Sequence, residues 1–371
     1  MRFFRRMLLA VATAAPLVLA LSAATLDAQR RPAAGAPAAM RPGHDMERLF
    51  YMVDTENGYD SFVRNADQIS VLGPQIYTVD SLGIIFGSID ARVMRIANEK
   101  GIKVMPLIVN EGFHQPSLRK LLANPRARLR AIESMVRLCQ DNGYWGIQFD
   151  VENVNIEDTD LFVSWYEESA QALHAAGFTI SIAVVHRMEE EAGPSGYHRF
   201  LQDSWRGAFD MTRIAVASDF VTVMTYDQHT RRTPPGPVSS LPWMRDVVTY
   251  FLQHVPAEKL SLGIPTYSER WLVRYDGSIP ARAAPGAETL SYNRARQIVD
   301  RYNATHVKWD PELGVEWGYY LNGGVFEWIF IENARGFDAR LQLARSMGLR
   351  GFSAWVLGPE DPAVWDVLAR R

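Results

Sequence analysis

Eight short β-rich apolar runs, separated by helical stretches, constrain this chain more than any single motif does. They are Leu49–Val53, Gln68–Leu72, Lys103–Val109, Gly146–Glu152, Thr179–Val185, Phe220–Tyr226, Lys259–Pro265 and Gly351–Leu357. Strands that alternate with helices pair in parallel, so eight such units predict an α/β chain folded as a (β/α)8 TIM barrel. In that architecture reactive groups gather at the C-terminal ends of the strands. The repeat is interrupted over residues 268–331. A helical patch near Tyr292–Tyr302 and strand-like runs Val315–Leu321 and Val325–Ile331 predict a small α+β insertion there, after the seventh strand. Asn333 to Met347 then reads as the seventh barrel helix.

The fourth run carries the chemistry. Within YWGIQFDVENVN, Tyr144 to Asn155, Ile147, Phe149 and Val151 form one face and Gln148, Asp150 and Glu152 the other. A helix precedes it: Asn124 caps, Pro125 suits the first helical position, an amphipathic stretch reaches Cys139, and Gly143 stops it. Parallel strands are covered on both faces, so the acidic triplet faces inward rather than to water. Two carboxylates two residues apart lie roughly 6.6–7 Å apart along a strand and point the same way. Burying them together is costly unless they share a proton or serve chemistry. A carboxylate pair that merely braces the barrel interior is the structural alternative.

The rest of the chain narrows the class. Arg2, Arg5 and Arg6, an apolar run from Met7 to Leu21 and small residues after it predict a secretory signal over residues 1–28. Residues 29–46 are rich in Ala, Pro, Gly and Arg and read as a disordered spacer before one large domain, 47–371. The single cysteine, Cys139, allows no intrachain disulfide. Export without disulfides fits a bacterial envelope, periplasmic or extracellular, with no stable membrane insertion once the signal is removed. A net charge of −3 leaves no electrostatic footprint for nucleic acid. The eight histidines form no HExxH or paired cluster, so no metal site is expected.

At the fourth run the sequence resembles glycoside hydrolase family 18, the chitinases and their relatives, whose strand motif is DGxDxDxE. WGIQFDVE keeps Gly146, Asp150 and the terminal Glu152 but has Trp145 and Gln148 where the family has its first two Asp residues. VTVMTYD, Val221 to Asp227, resembles the family's sixth-strand ending at Met224, Tyr226 and Asp227, although Met224 fits core packing equally well. LGIPTYSERW, Leu262 to Trp271, is similar to the spore-germination and cortex-lytic glucosaminidase branch. There Tyr267 and Trp271 would line the sugar cleft, and Trp355, in GFSAWVLG, stands where the family floors the cleavage subsite.

The resemblance implies a hydrolase of β-linked N-acetylglucosamine glycans, of peptidoglycan or chitin type, without cofactor or metal; the leader adds the expectation of export, and a monomer is expected. Two carboxyls facing one way cannot flank a sugar from opposite sides, and the family instead uses the substrate's own 2-acetamido group as nucleophile. Glu152 would be the acid and base, Asp150 would accept the acetamido N–H, and Tyr226 would donate to the acetamido oxygen. Gln148 is expected to donate its amide N–H to Asp150. Two other classes remain open: a sugar-binding barrel without catalysis, and a conventional two-carboxylate glycosidase with Glu332 or Asp227 as nucleophile.

Overall fold

The computed structural model describes residues 46–275 and 283–370. The expected leader and all of the spacer except Met46 lie outside that range.

Eight parallel strands close into a barrel. They are Glu47–Met52, Val71–Val79, Leu107–Asn110, Gly146–Asp150, Thr179–Val185, Phe220–Met224, Leu260–Pro265 and Gly351–Trp355, and the first pairs with both the second and the eighth. Two expected runs are corrected. The second strand does not end at Leu72 but runs from Val71 to Val79, through Pro74 and Gln75. The third expected run splits at Met105–Pro106, since proline has no N–H for the ladder, and leaves a separate short strand, Lys103–Val104.

The helix before the fourth strand, Pro125–Asn142, forms for local reasons. Asn124 Oδ1 accepts from the N–H groups of Arg126 and Ala127 at 3.1 and 3.3 Å, and Pro125 occupies the first turn. Ala127, Ala131, Ile132, Met135 and Cys139 make its buried stripe. Gly143, at φ 68°, ends it in the left-handed conformation glycine tolerates. The strand that follows is buried on both faces. Phe149 points outward and meets Trp165 and Tyr166 edge-on, on the helix Thr159–Ala175. Gln148 and Asp150 therefore point into the barrel.

The barrel interior below the site is a polar layer. Gln148 Nε2 donates to Ser181 Oγ at 2.6 Å, Thr222 and Ser353 share a hydrogen bond of 2.9 Å, and Ser353 and Ser261 one of 2.8 Å. After the seventh strand comes a five-stranded antiparallel sheet, ordered Ala283–Leu290, Ser268–Tyr275, Val325–Ile331, Val315–Asn322, Lys308–Asp310. The helix Tyr292–Arg301 packs on it through Ala295 and Ile298, against Leu290, Tyr320 and Ile329. The inserted segment enters and leaves at one place, where the Glu332 N–H donates to Ser268 Oγ at 3.0 Å. Arg340, fully buried on the helix Ala334–Ser346, pairs with Glu332 at 2.9 Å and donates to the Ser239 carbonyl at 2.5 Å. Among the described residues no helix is long and apolar enough to cross a membrane.

Candidate active site

The C-terminal ends of the strands surround a cavity of about 280 Å3. Asp150, Glu152, Met224, Tyr226, Asp227, Tyr267 and Trp355 all line it, drawn from the fourth, sixth, seventh and eighth strands. Tyr51 lines it from the first strand and packs on Trp355 at 5.5 Å.

Glu152 lies just past the end of its strand, and Asn110 fixes it there. The Asn110 side chain donates to the Glu152 carbonyl at 2.9 Å and accepts from the Glu152 N–H at 3.0 Å. The carboxyl of Glu152 is held well above the usual range by burial and then by the charges of Asp150 and Asp227. It therefore keeps its proton toward neutral pH, as an acid must. Burial also raises Asp150, to about 6, and one hydrogen bond opposes that shift: Gln75 Nε2 donates to Asp150 Oδ2 at 2.8 Å.

Asp227 adopts φ 58°, a left-handed conformation rare outside glycine but more accessible to Asp and Asn. Its carboxyl accepts from the Tyr267 hydroxyl. Burial raises Asp227 and the Tyr267 bond lowers it, with burial the larger effect. Tyr226 and Tyr267 are both pushed far above the ordinary tyrosine value by burial and nearby carboxylates, so each remains a donor.

Two expected cleft residues lie elsewhere. Gln148 is fully buried beneath the cavity, and its amide N–H groups go to Ser181 and Thr222, not to Asp150. Gln75 fills the expected donor role. Trp271 packs edge-to-face on Phe330 beside Val315 and lines a separate aromatic groove with Trp317 and Trp328 on the inserted sheet. Glu332 cannot serve as a nucleophile here, because it is buried against Arg340 and does not line the cavity.

Sequence reasoning missed three groups. Gln75 was hidden by Pro74, which breaks a strand pattern, and Asn110 by its place at a strand end. His186 lines the cavity and stacks edge-on against Trp243. An Arg206 guanidinium N–H donates to His186 Nε2 at 2.7 Å, so Nδ1 carries the proton toward the Met224 carbonyl at 3.2 Å. Burial and Arg206 push His186 down to about 3, which keeps it neutral. Among the described residues no cluster of three His, Cys, Asp or Glu side chains is placed to hold a metal ion.

The family model for glycosyl hydrolases family 18 matches residues 77–360. The chain belongs to that family. This family-18 chain is a glycoside hydrolase with a chitinase-like barrel. It is 22% identical to the uncharacterized glycosylase YvbX of Bacillus subtilis over 86% of this chain and 90% of that one. It is 25% identical to the cortical fragment-lytic enzyme of B. subtilis, over 88% of this chain and 75% of the relative. The crystal structure of the Bacillus megaterium spore cortex-lytic enzyme SleL superposes with a TM-score of 0.75 at 22% identity, covering 87% of this chain and 73% of that chain. A chitinase from Chromobacterium violaceum superposes with the same score at 23% identity, over 88% and 98%. At such identities these structures establish the shared barrel.

Proposed function

We propose that this protein is an exported hydrolase of β-linked N-acetylglucosamine glycans, of peptidoglycan or chitin type, acting through the substrate's 2-acetamido group. The observation that carries this reading is the pairing of a proton-retaining Glu152 with Asp150 on one strand end, both opening into one cavity. Glu152 gives its proton to the glycosidic oxygen as the bond to the anomeric carbon breaks. The acetamido carbonyl oxygen bonds to that carbon and forms an oxazolinium. Asp150 accepts the acetamido N–H and balances the positive charge, and the Tyr226 hydroxyl donates to the acetamido oxygen. Glu152, now ionised, takes a proton from water as the water opens the ring with net retention. Trp355 offers an aromatic face to the apolar side of the sugar.

Asp227 is the remaining candidate for a conventional nucleophile, since it shares the cavity. Its bond from Tyr267 and its raised proton affinity favour a positioning role over attack as a carboxylate. The test is to incubate the protein with chito-oligosaccharides and with purified peptidoglycan and identify products by mass spectrometry. Oligomers lacking every 2-acetamido group should stay intact, and a thiazoline mimic of the oxazolinium should inhibit strongly. A trapped covalent glycosyl–protein adduct would instead establish the conventional mechanism. An exported protein should also begin after the leader when its mature N-terminus is sequenced.

A further inference from the structure

The cleft continues beyond Trp355. Asp227, Tyr267 and Trp355 also line a second cavity of about 510 Å3, so the two spaces share a wall. The far side of the second cavity comes from the inserted sheet, including Glu269 and Thr289, and Arg231 lines it from the loop after the sixth strand. Glu269 is only 7% exposed, yet its Oε2 has no hydrogen-bonding partner among the described residues. A buried carboxyl without a donor costs stability, and at the wall of a cavity a bound ligand is one partner that could satisfy it.

Neighbouring cations do not supply it. Arg270 alternates to the opposite face of the strand and pairs with Glu288 at 2.5 Å. Arg231 is exposed and forms no ion pair with Glu269 among the described residues, so water and salt screen its charge. The charge nearest Glu269 in character is another carboxyl, Asp227. Burial first, and Asp227 second, push Glu269 up to about 8. Glu269 therefore holds a proton near neutral pH, and a cation beside it would favour its ionised form, which a sugar hydroxyl would not. An ammonium brings three donors and a full positive charge.

We propose that the second cavity is a sugar subsite for a de-N-acetylated hexosamine carrying a 2-ammonium group, with Glu269 as its ion-pairing residue. The inference rests on the glycan reading of the cleft, in which the adjoining unit at Glu152 keeps its acetamido group. The favoured substrate is then a partly de-N-acetylated glycan rather than a uniformly acetylated one.

The experiment is calorimetric binding to the Glu152→Gln protein, which cannot turn its ligand over. Chitotetraose is compared with a tetramer of equal length that retains one N-acetyl group. The amine-bearing oligomer should bind about tenfold tighter, as expected for a charge-assisted pair, and adding Glu269→Gln should reduce that advantage to about twofold or less. Glu269→Asp keeps the charge and should retain most of the advantage, whereas a loss equal to that of Glu269→Gln overturns the ion pair. Equal affinity for the two oligomers, or an advantage that survives Glu269→Gln, overturns the subsite and leaves the glycan reading standing. Binding of neither oligomer overturns both.

Discussion

Three carboxyls, Asp150, Glu152 and Asp227, share one cavity, and their competition for protons sets how the site works. Glu152→Gln keeps the side chain's shape but has no proton to give, so turnover should fall by roughly 10²–10⁴ while the folded spectrum is unchanged. Near-normal hydrolysis by that variant would remove Glu152 from the acid role. Asp227 tolerates its left-handed backbone as Asp or Asn, so Asp227→Asn changes charge without new strain. Losing a negative neighbour lowers the proton affinity of Glu152, so the basic limb of kcat/KM should move down by about 0.5–1 pH unit. A limb that moves up would show that Asp227 does not act on Glu152 through its charge. Gln75→Leu acts at the other limb. Without its donor, Asp150 binds a proton more tightly, so the acid limb should rise and the pH range of activity should narrow from below.

At the scale of single elements, the fourth strand and the helix before it were legible because each local signal agreed with the fold. Asn124, Pro125 and Gly143 mark the helix, and alternation places Asp150 inward. Two glycines there separate two costs. A Cβ at Gly143 would meet nothing within 4 Å, so Gly143→Ala should cost only the left-handed conformation, roughly 1–2 kcal/mol. A Cβ at Gly146 would lie 1.9 Å from the Thr179 carbonyl oxygen on the fifth strand. Gly146→Ala must therefore push the fourth and fifth strands away from each other, and denaturant unfolding should show it clearly less stable than Gly143→Ala; equal losses would contradict the contact. The second strand was less legible, since Pro74 and the polar Gln75 break the apolar pattern that marks a strand. That break concealed the donor to Asp150. Trp271 was misplaced for another reason. Alternation puts it on the same face as Glu269, but two residues farther along the strand it leaves the cleft for the aromatic packing around Phe330.

Over the whole molecule, the closed barrel and its insertion were written in the spacing of the runs, whereas the contacts that assemble the cleft join residues far apart in the chain. Those contacts leave several carboxyls buried, which links stability to pH. Asp150, Glu332 and Glu269 bind protons more tightly folded than unfolded. Their contribution is complete below the unfolded values near 4 and is lost as pH rises through about 6, about 7 and about 8. Thermal unfolding should therefore come at lower temperature at pH 8.5 than at pH 5. Glu269→Gln should recover a few degrees at the higher pH, and an unfolding temperature that is flat or climbs would contradict this linkage. The junction where the Glu332 N–H meets Ser268 Oγ carries one more consequence. Since the inserted sheet begins and ends at that single point, it is topologically a pendant: the polypeptide could be spliced from Tyr267 to Glu332 without rerouting any barrel strand. A lineage built this way can trade one cleft wall for another while its reaction centre is inherited intact, so what such an enzyme cuts and how it cuts are free to evolve on separate clocks.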